Sequence, residues 1–172
     1  MWKPVVCVTA LAAAMICTEV LGQTAAPKDG ELPLPDYKSW DVFLKDVQKP
    51  DTKQIRDIYI NAKGAAAESG PALPNGSVLV MEIHKAKVGA DGNAVTGADG
   101  QMQRDGLSKI FVMGKNDGWG KGLEPANGAW VYSAFEPDGK LAEVDYATCR
   151  ACHLPMTDAD FVPRLAEYFS AR

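Results

Sequence analysis

Apolar residues recur along this chain in short runs, and the spacing changes from one run to the next. Trp40, Phe43, Leu44 and Val47 fall at helical spacing, which predicts a first helix over Tyr37–Val47, capped by Asp36 or Ser39. Ile55–Ile60 alternates, with Ile58 and Ile60 on one face and Ile55 and Tyr59 on the other, as a strand does. Asn61 can cap a short helix running through the alanines to Gly70, a natural terminating residue, and Pro74-Asn75-Gly76 reads as a turn. Val78–Lys87, rich in β-branched residues, gives the clearest strand signal. Gly89–Gly106 is polar, contains Gly-Ala-Asp-Gly twice and lacks the ligand spacing of an EF-hand, so a long mobile hairpin connection is expected there. Ser108–Gly114 and Ala129–Phe135 read as two more strands, followed by a turn at Glu136-Pro137-Asp138-Gly139. Asp160 can cap a last helix with Pro163 in its first turn; Phe161, Leu165, Tyr168 and Phe169 form its apolar stripe, spaced as ordinary core. The expected fold class is α+β, a mainly antiparallel β-sheet of four or more strands flanked by helices.

The N-terminus follows a different rule. Met1-Trp2-Lys3 is short and positive, Pro4–Thr18 is an uncharged run of 15 residues, and Glu19 ends it. A membrane span needs about 20 apolar residues, whereas this length suits a signal-peptide core. The expected division is a signal peptide at 1–22, cut at 22/23 or near 26, a leader at 23–36 and one domain at 37–172. An uncleaved anchor is the alternative. The protein is then expected to be periplasmic or secreted, with no membrane span after cleavage. The net charge is −4, and losing Lys3 with Glu19 leaves it unchanged. Nothing resembles the basic patch that nucleic acid requires; a mildly acidic surface permits a basic partner.

Cleavage also changes the cysteine count. Cys7 and Cys17 leave with the segment, and the remaining two lie in Cys149-Arg150-Ala151-Cys152-His153. C-x-x-C-H is the attachment sequence for a c-type haem: each sulfur can add to one vinyl group, and the histidine can serve as proximal iron ligand. A Cys149–Cys152 disulfide would close a very small loop and stabilise little. A thioredoxin-like motif usually opens a helix after an early strand, whereas this one sits near the C-terminus. Zinc wants about four ligands, and the chain holds only two histidines. One c-type haem is the expected cofactor. Ordinary small cytochromes c carry the motif near the N-terminus and take a distant methionine as sixth ligand. Here 19 residues follow His153, and Met156 is too close to reach the opposite face. A four-helix cytochrome c-prime is disfavoured by the strand-rich body.

The chain resembles the cytochrome P-460 family and its sibling, cytochrome c-prime-beta. The resemblance runs from about Tyr37 to the C-terminal helix. It is carried by Ile55-Arg56-Asp57-Ile58-Tyr59-Ile60, Gly76-Ser77-Val78-Leu79-Val80-Met81-Glu82, Ile110-Phe111-Val112-Met113, Asn127-Gly128-Ala129-Trp130, and the haem motif followed by Asp160-Phe161-Val162. It implies an antiparallel sheet with helices, a homodimer, one c-type haem on the motif histidine and an open distal side. P-460 enzymes oxidise hydroxylamine at a haem cross-linked to a lysine. The matching position here is Met81, which lacks the amine; Lys85 and Lys87 share its parity but need a slip of four or six residues. The resemblance therefore leans to cytochrome c-prime-beta, which binds small gases such as nitric oxide.

Individual residues carry alternatives. Met81 can be an apolar wall of the distal pocket beside Leu79, an iron ligand, or plain core. His84 has the opposite parity, so both cannot face a haem from a regular strand; a solvent-facing or hydrogen-bonded role is expected. Arg56 matches a family arginine near the haem and can pair with a propionate, steady a ligand, or form a surface ion pair. Glu143, or Asp145, can act as a distal carboxylate if buried, and is otherwise a solvated loop charge. Phe111, Trp130 and Tyr132 are haem-packing aromatics or core. The leading expectation is binding of nitric oxide or a related small nitrogen species, with electron transfer to a partner such as another cytochrome. The alternatives are hydroxylamine oxidation and a six-coordinate electron carrier using Met81 or His84. Carbon monoxide is a further expected ligand.

Overall fold

The computed structural model describes residues 25–172. The expected signal segment and the 22/23 cut lie outside them. Five strands pair in chain order as one antiparallel meander: β1 (Asp41–Lys49), β2 (Gln54–Ile60), β3 (Val78–Ala86), β4 (Arg104–Lys115) and β5 (Trp130–Phe135). Three short helices accompany the sheet: α1 (Ala62–Ala65), α2 (Tyr146–His153) and α3 (Leu165–Ser170). The fold is α+β, as expected. No helix among the described residues is long and apolar enough to cross a membrane.

The predicted first helix is instead the edge strand β1. Helical spacing misleads here because the strand is irregular. Its register slips between Val42 and Leu44 and again between Leu44 and Val47, and Asp46 takes a positive φ of 53°. Each bulge adds a residue on one strand only and resets the alternation. Phe43, Leu44 and Val47 thereby reach the same side of the sheet without a helical turn.

Two other expectations need correction, and one gains detail. Gly89–Gly106 is the expected hairpin connection, built from two tight turns with bridges Val88–Ala94 and Thr96–Met102. Each Gly-Ala-Asp-Gly forms the same turn: Gly89 N–H donates to the Asn93 carbonyl and Gly97 N–H to that of Gln101, both at 2.8 Å. Asp91 and Asp99 each accept the backbone N–H two residues on, at 3.0 Å. The internal repeat is thus a repeated turn. Asn61 does cap a helix, its Oδ1 accepting Gly64 N–H at 3.0 Å, but α1 ends at Ala65. Asp160 does not cap the last helix: α3 begins at Leu165, after Arg164, and Pro163 precedes it. The turn at Glu136–Gly139 forms as predicted, Gly139 N–H donating to the Glu136 carbonyl.

Strand alternation sorts the core into two sets. Leu32, Tyr37, Val80, Ile110, Val112, Val131 and Phe135 fill one face of the sheet. Phe43, Ile60, Leu79, Met113, Trp130 and Tyr132 belong to the other, where Val162, Leu165 and Tyr168 cover part of it. The segment read as a leader is packed into the domain, with Leu32 buried and Gly30 N–H donating to the Tyr132 carbonyl at 2.7 Å.

Candidate functional site

Across the second face the register aligns side chains in rows. Ile58 pairs with Met81 and Met81 with Phe111; Ile60 pairs with Leu79, Leu79 with Met113, and Met113 with Tyr132. Arg56 stands opposite Ile83. These rows form one wall of a cavity of about 430 Å³, a volume usual for a small-molecule or cofactor site. The other wall is α2 and the chain after it, with Cys149, Cys152, His153 and Val162 lining the same space.

The helix that brings the motif there is fixed at both ends. Asp145 caps it, accepting Ala147 N–H at 3.0 Å and the Thr148 hydroxyl at 2.9 Å. Cys149, Cys152 and His153 then share one helical face, since residues three and four apart are neighbours. Arg150 points the other way and is fully buried. Its guanidinium donates to Asp29 Oδ2 from Nε at 2.6 Å and to Asp29 Oδ1 at 2.9 Å, and to the Trp130 carbonyl at 3.0 Å. It also lies 5.3 Å from the Tyr132 ring centre. A residue inside the five-residue motif therefore bolts α2 to the N-terminal segment and to β5.

His153 is arranged as a metal-ligating imidazole would be. Its Nδ1 lies 2.7 Å from the Phe161 carbonyl. A carbonyl only accepts, so the proton sits on Nδ1 and the Nε2 lone pair is left free. Burial favours the neutral ring and holds the imidazole below its ordinary pKa, opposed by the hydrogen bond to the Phe161 carbonyl, which favours the protonated ring. The Tyr132 ring packs 5.3 Å away; its hydroxyl is buried with no hydrogen-bond partner among the described residues, and burial raises its pKa well above that of a free phenol. Both motif cysteines are free. Burial, then the Asp29 and Asp145 carboxylates, push the Cys149 thiol up.

Sequence-predicted residues divide cleanly. Arg56, Leu79, Met81, Phe111, Tyr132, Cys149, Cys152 and His153 are brought together at the cavity. Glu143 is exposed and outside the lining, and Asp145 serves as the α2 cap. Trp130 is buried behind the wall, its indole N–H donating to the Asp160 carbonyl at 2.7 Å. His84 lies on the opposite face, with Nε2 3.4 Å from Glu82 Oε2 and 4.0 Å from Asp57 Oδ2. Those three groups could together hold a cation, but Arg104 already pairs with Asp57, and Lys38 and Tyr37 with Glu82. The sequence reading missed the Phe161 carbonyl, the Asp29 anchor, and the contributions of Phe43, Leu44 and Val47. A charged residue between two cysteines that must face one group was a signal that Arg150 needs a buried partner, though not that the partner is 121 residues away.

The donor set fits a haem. Two free thiols and an imidazole with a free Nε2 share one wall, and an apolar face stands across from them. Lys49, Arg56 and Arg164 also line the cavity and supply positive charge suited to carboxylates such as haem propionates. The family model described as Cytochrome P460 matches residues 34–163. The chain belongs to that family, and membership implies a haem cofactor. No curated protein matches the chain.

Proposed function

We propose, from membership of the cytochrome P460 family, that the chain is an exported mono-haem c-type cytochrome that binds nitric oxide or a related small nitrogen species. Cys149 and Cys152 would carry the two thioether bonds, and His153 would ligate the iron through Nε2. When bound, the haem would supply a one-electron redox centre and an iron able to take up a small ligand. The observation that carries this reading is the placing of two free thiols and a neutral, oriented imidazole against an apolar wall.

The chain's own residues account for the selectivity. Leu79, Met81, Ile83 and Phe111 present no amine, carboxylate or hydroxyl to the cavity, a lining that suits a small neutral ligand. Met81 stands where a cross-linking lysine is expected, which supports gas binding over hydroxylamine oxidation. Arg56, whose guanidinium donates to Gln54 Oε1 at 2.8 Å, lines the same space and would meet a propionate or a polar ligand. Within this reading residues 1–22 are a cleaved signal, the protein works in the periplasm or outside the cell, a second cytochrome takes its electrons, and two copies associate.

The test is ligand binding by the ferrous protein, matured in a host that attaches c-type haem. Nitric oxide and carbon monoxide should each shift the absorption spectrum, and Met81→Ala should leave the unliganded spin state unchanged. A low-spin spectrum indifferent to both gases would contradict the proposal. Anaerobic turnover of hydroxylamine with an artificial acceptor would replace it with the catalytic alternative.

A further inference from the structure

The carbonyl that meets His153 belongs to a turn the chain does not adopt for free. Asp160 and Phe161 have φ values of 54° and 60°, the left-handed region that residues with a Cβ disfavour. Two such residues in succession persist only where surrounding contacts over-determine them. Those contacts centre on Asp160. Its Oδ2 accepts Lys115 Nζ at 2.8 Å and Leu73 N–H at 3.1 Å, and its carbonyl accepts the Trp130 indole N–H at 2.7 Å. Lys115 also donates to the Leu73 carbonyl at 2.8 Å. Phe161 N–H donates to the Met156 carbonyl at 2.7 Å. The Phe161 ring lies over Gly128, where an added Cβ would stand 3.0 Å from it. The Asp160–Lys115 pair is largely buried, each side chain under 15% exposed. Asp160 itself does not line the cavity.

We infer that Asp160, held by Lys115 and Trp130, is a positioning residue for His153. It fixes the Phe161 carbonyl against Nδ1, and that bond sets the ring's orientation and the electron density offered at Nε2. The inference rests on the reading of His153 as the iron ligand. A metal-ligating histidine whose other N–H is held by a good acceptor is a more basic ligand, and loss of the acceptor weakens it. Asp160 would thus act on the iron from beyond the cavity, tying its potential to an ion pair at the end of β4.

Two readouts separate this from a purely structural role. In the haem-free chain, nitrogen NMR of the His153 ring reports the tautomer and the Nδ1 hydrogen bond. Wild type should show one tautomer, and Asp160→Ala a mixture. In the haem-loaded protein, Asp160→Ala should lower the iron–histidine stretching frequency in the ferrous state and raise the midpoint potential. Asp160→Asn keeps an oxygen for Lys115 and Leu73 and should restore most of both shifts. Ile110→Ala, on the far face, should leave both unchanged at comparable loss of stability. If Asp160→Ala does not fold, Lys115→Met removes one anchor alone and should give a smaller shift in the same direction. Tautomer, frequency and potential all unchanged in these variants would overturn the inference. A wild type that carries haem without an iron–histidine band would defeat the proposed function instead, and the ring-nitrogen signals would still decide the role of Asp160.

Discussion

The two faces of the sheet solve opposite problems. One face gathers the chemically conspicuous residues, Asp57, Glu82, His84 and Arg104, beside buried aliphatic core. The other presents mostly carbon: Ile58, Leu79, Met81, Ile83 and Phe111. Yet the charged face is largely closed upon itself, although His84 Nε2 is buried without a hydrogen bond among the described residues. Arg104 bridges Asp57 and Asp46, while Tyr37 and Lys38 both donate to Glu82. The apolar face keeps a cavity, and across it stand two free thiols, Cys149 with a long 3.9 Å contact to the Asp145 carbonyl, and the imidazole of His153. Buried polar groups that satisfy one another hold the fold, whereas thiols and an imidazole that line a cavity are open to a ligand.

The largest effect expected from breaking this arrangement falls on Arg150. Arg150→Ala leaves Asp29 without its buried counter-ion and should cost about 3–5 kcal/mol, read as a lower urea midpoint with the slope unchanged. The faces themselves are contrasted by a pair of truncations. Ile110→Ala removes packed core and should cost about 2–5 kcal/mol. Met81 is half-buried beside existing space, so Met81→Ala in the haem-free chain opens little new cavity and should cost clearly less. Equal losses would contradict the assignment of an open and a closed face.

A smaller effect separates the charged face by pH. Burial alone would raise Asp57, but the bonds from Arg104 and from Asp46 N–H outweigh it and hold its carboxyl below the ordinary range. Glu82 is likewise held low, burial being outweighed by Lys38 and Tyr37. A carboxylate with a lowered folded pKa binds fewer protons than in the unfolded chain. Its stabilisation is complete above the unfolded values near about 4 and is lost as pH falls through them toward the folded ones. Arg104→Met should therefore move the acid-unfolding midpoint to higher pH, and an unmoved midpoint would show that the network adds nothing. The smallest expected change is in the haem spectrum of His84→Ala, which should match wild type because His84 lies on the far face.

Much of this was legible in the sequence, and for stated reasons. Strand alternation put Leu79 and Met81 on one face and His84 on the other before any coordinates, and i, i+3, i+4 spacing explains why the motif acts as a unit. The strands were readable because β-branched residues and turn signals coincide around Val78–Ala86 and Glu136–Gly139. The first element was not, because bulges at Phe43 and before Val47 give a strand the apolar spacing of a helix. Asp160 read as a cap from its type and position; its actual partners, Leu73 and Lys115, are long-range and leave no local pattern. Asp29 was hidden for the same reason, in a segment whose composition resembles a leader.

The central claim is that the cavity between α2 and the sheet takes a covalently attached haem. The most direct measurement is the intact mass of the chain matured in a host that attaches c-type haem, beside the Cys149→Ser/Cys152→Ser double variant. The account predicts a gain of one haem's mass in the wild type that survives denaturation and is absent from the double variant. An unmodified wild-type chain, or a haem retained covalently without both cysteines, would contradict it.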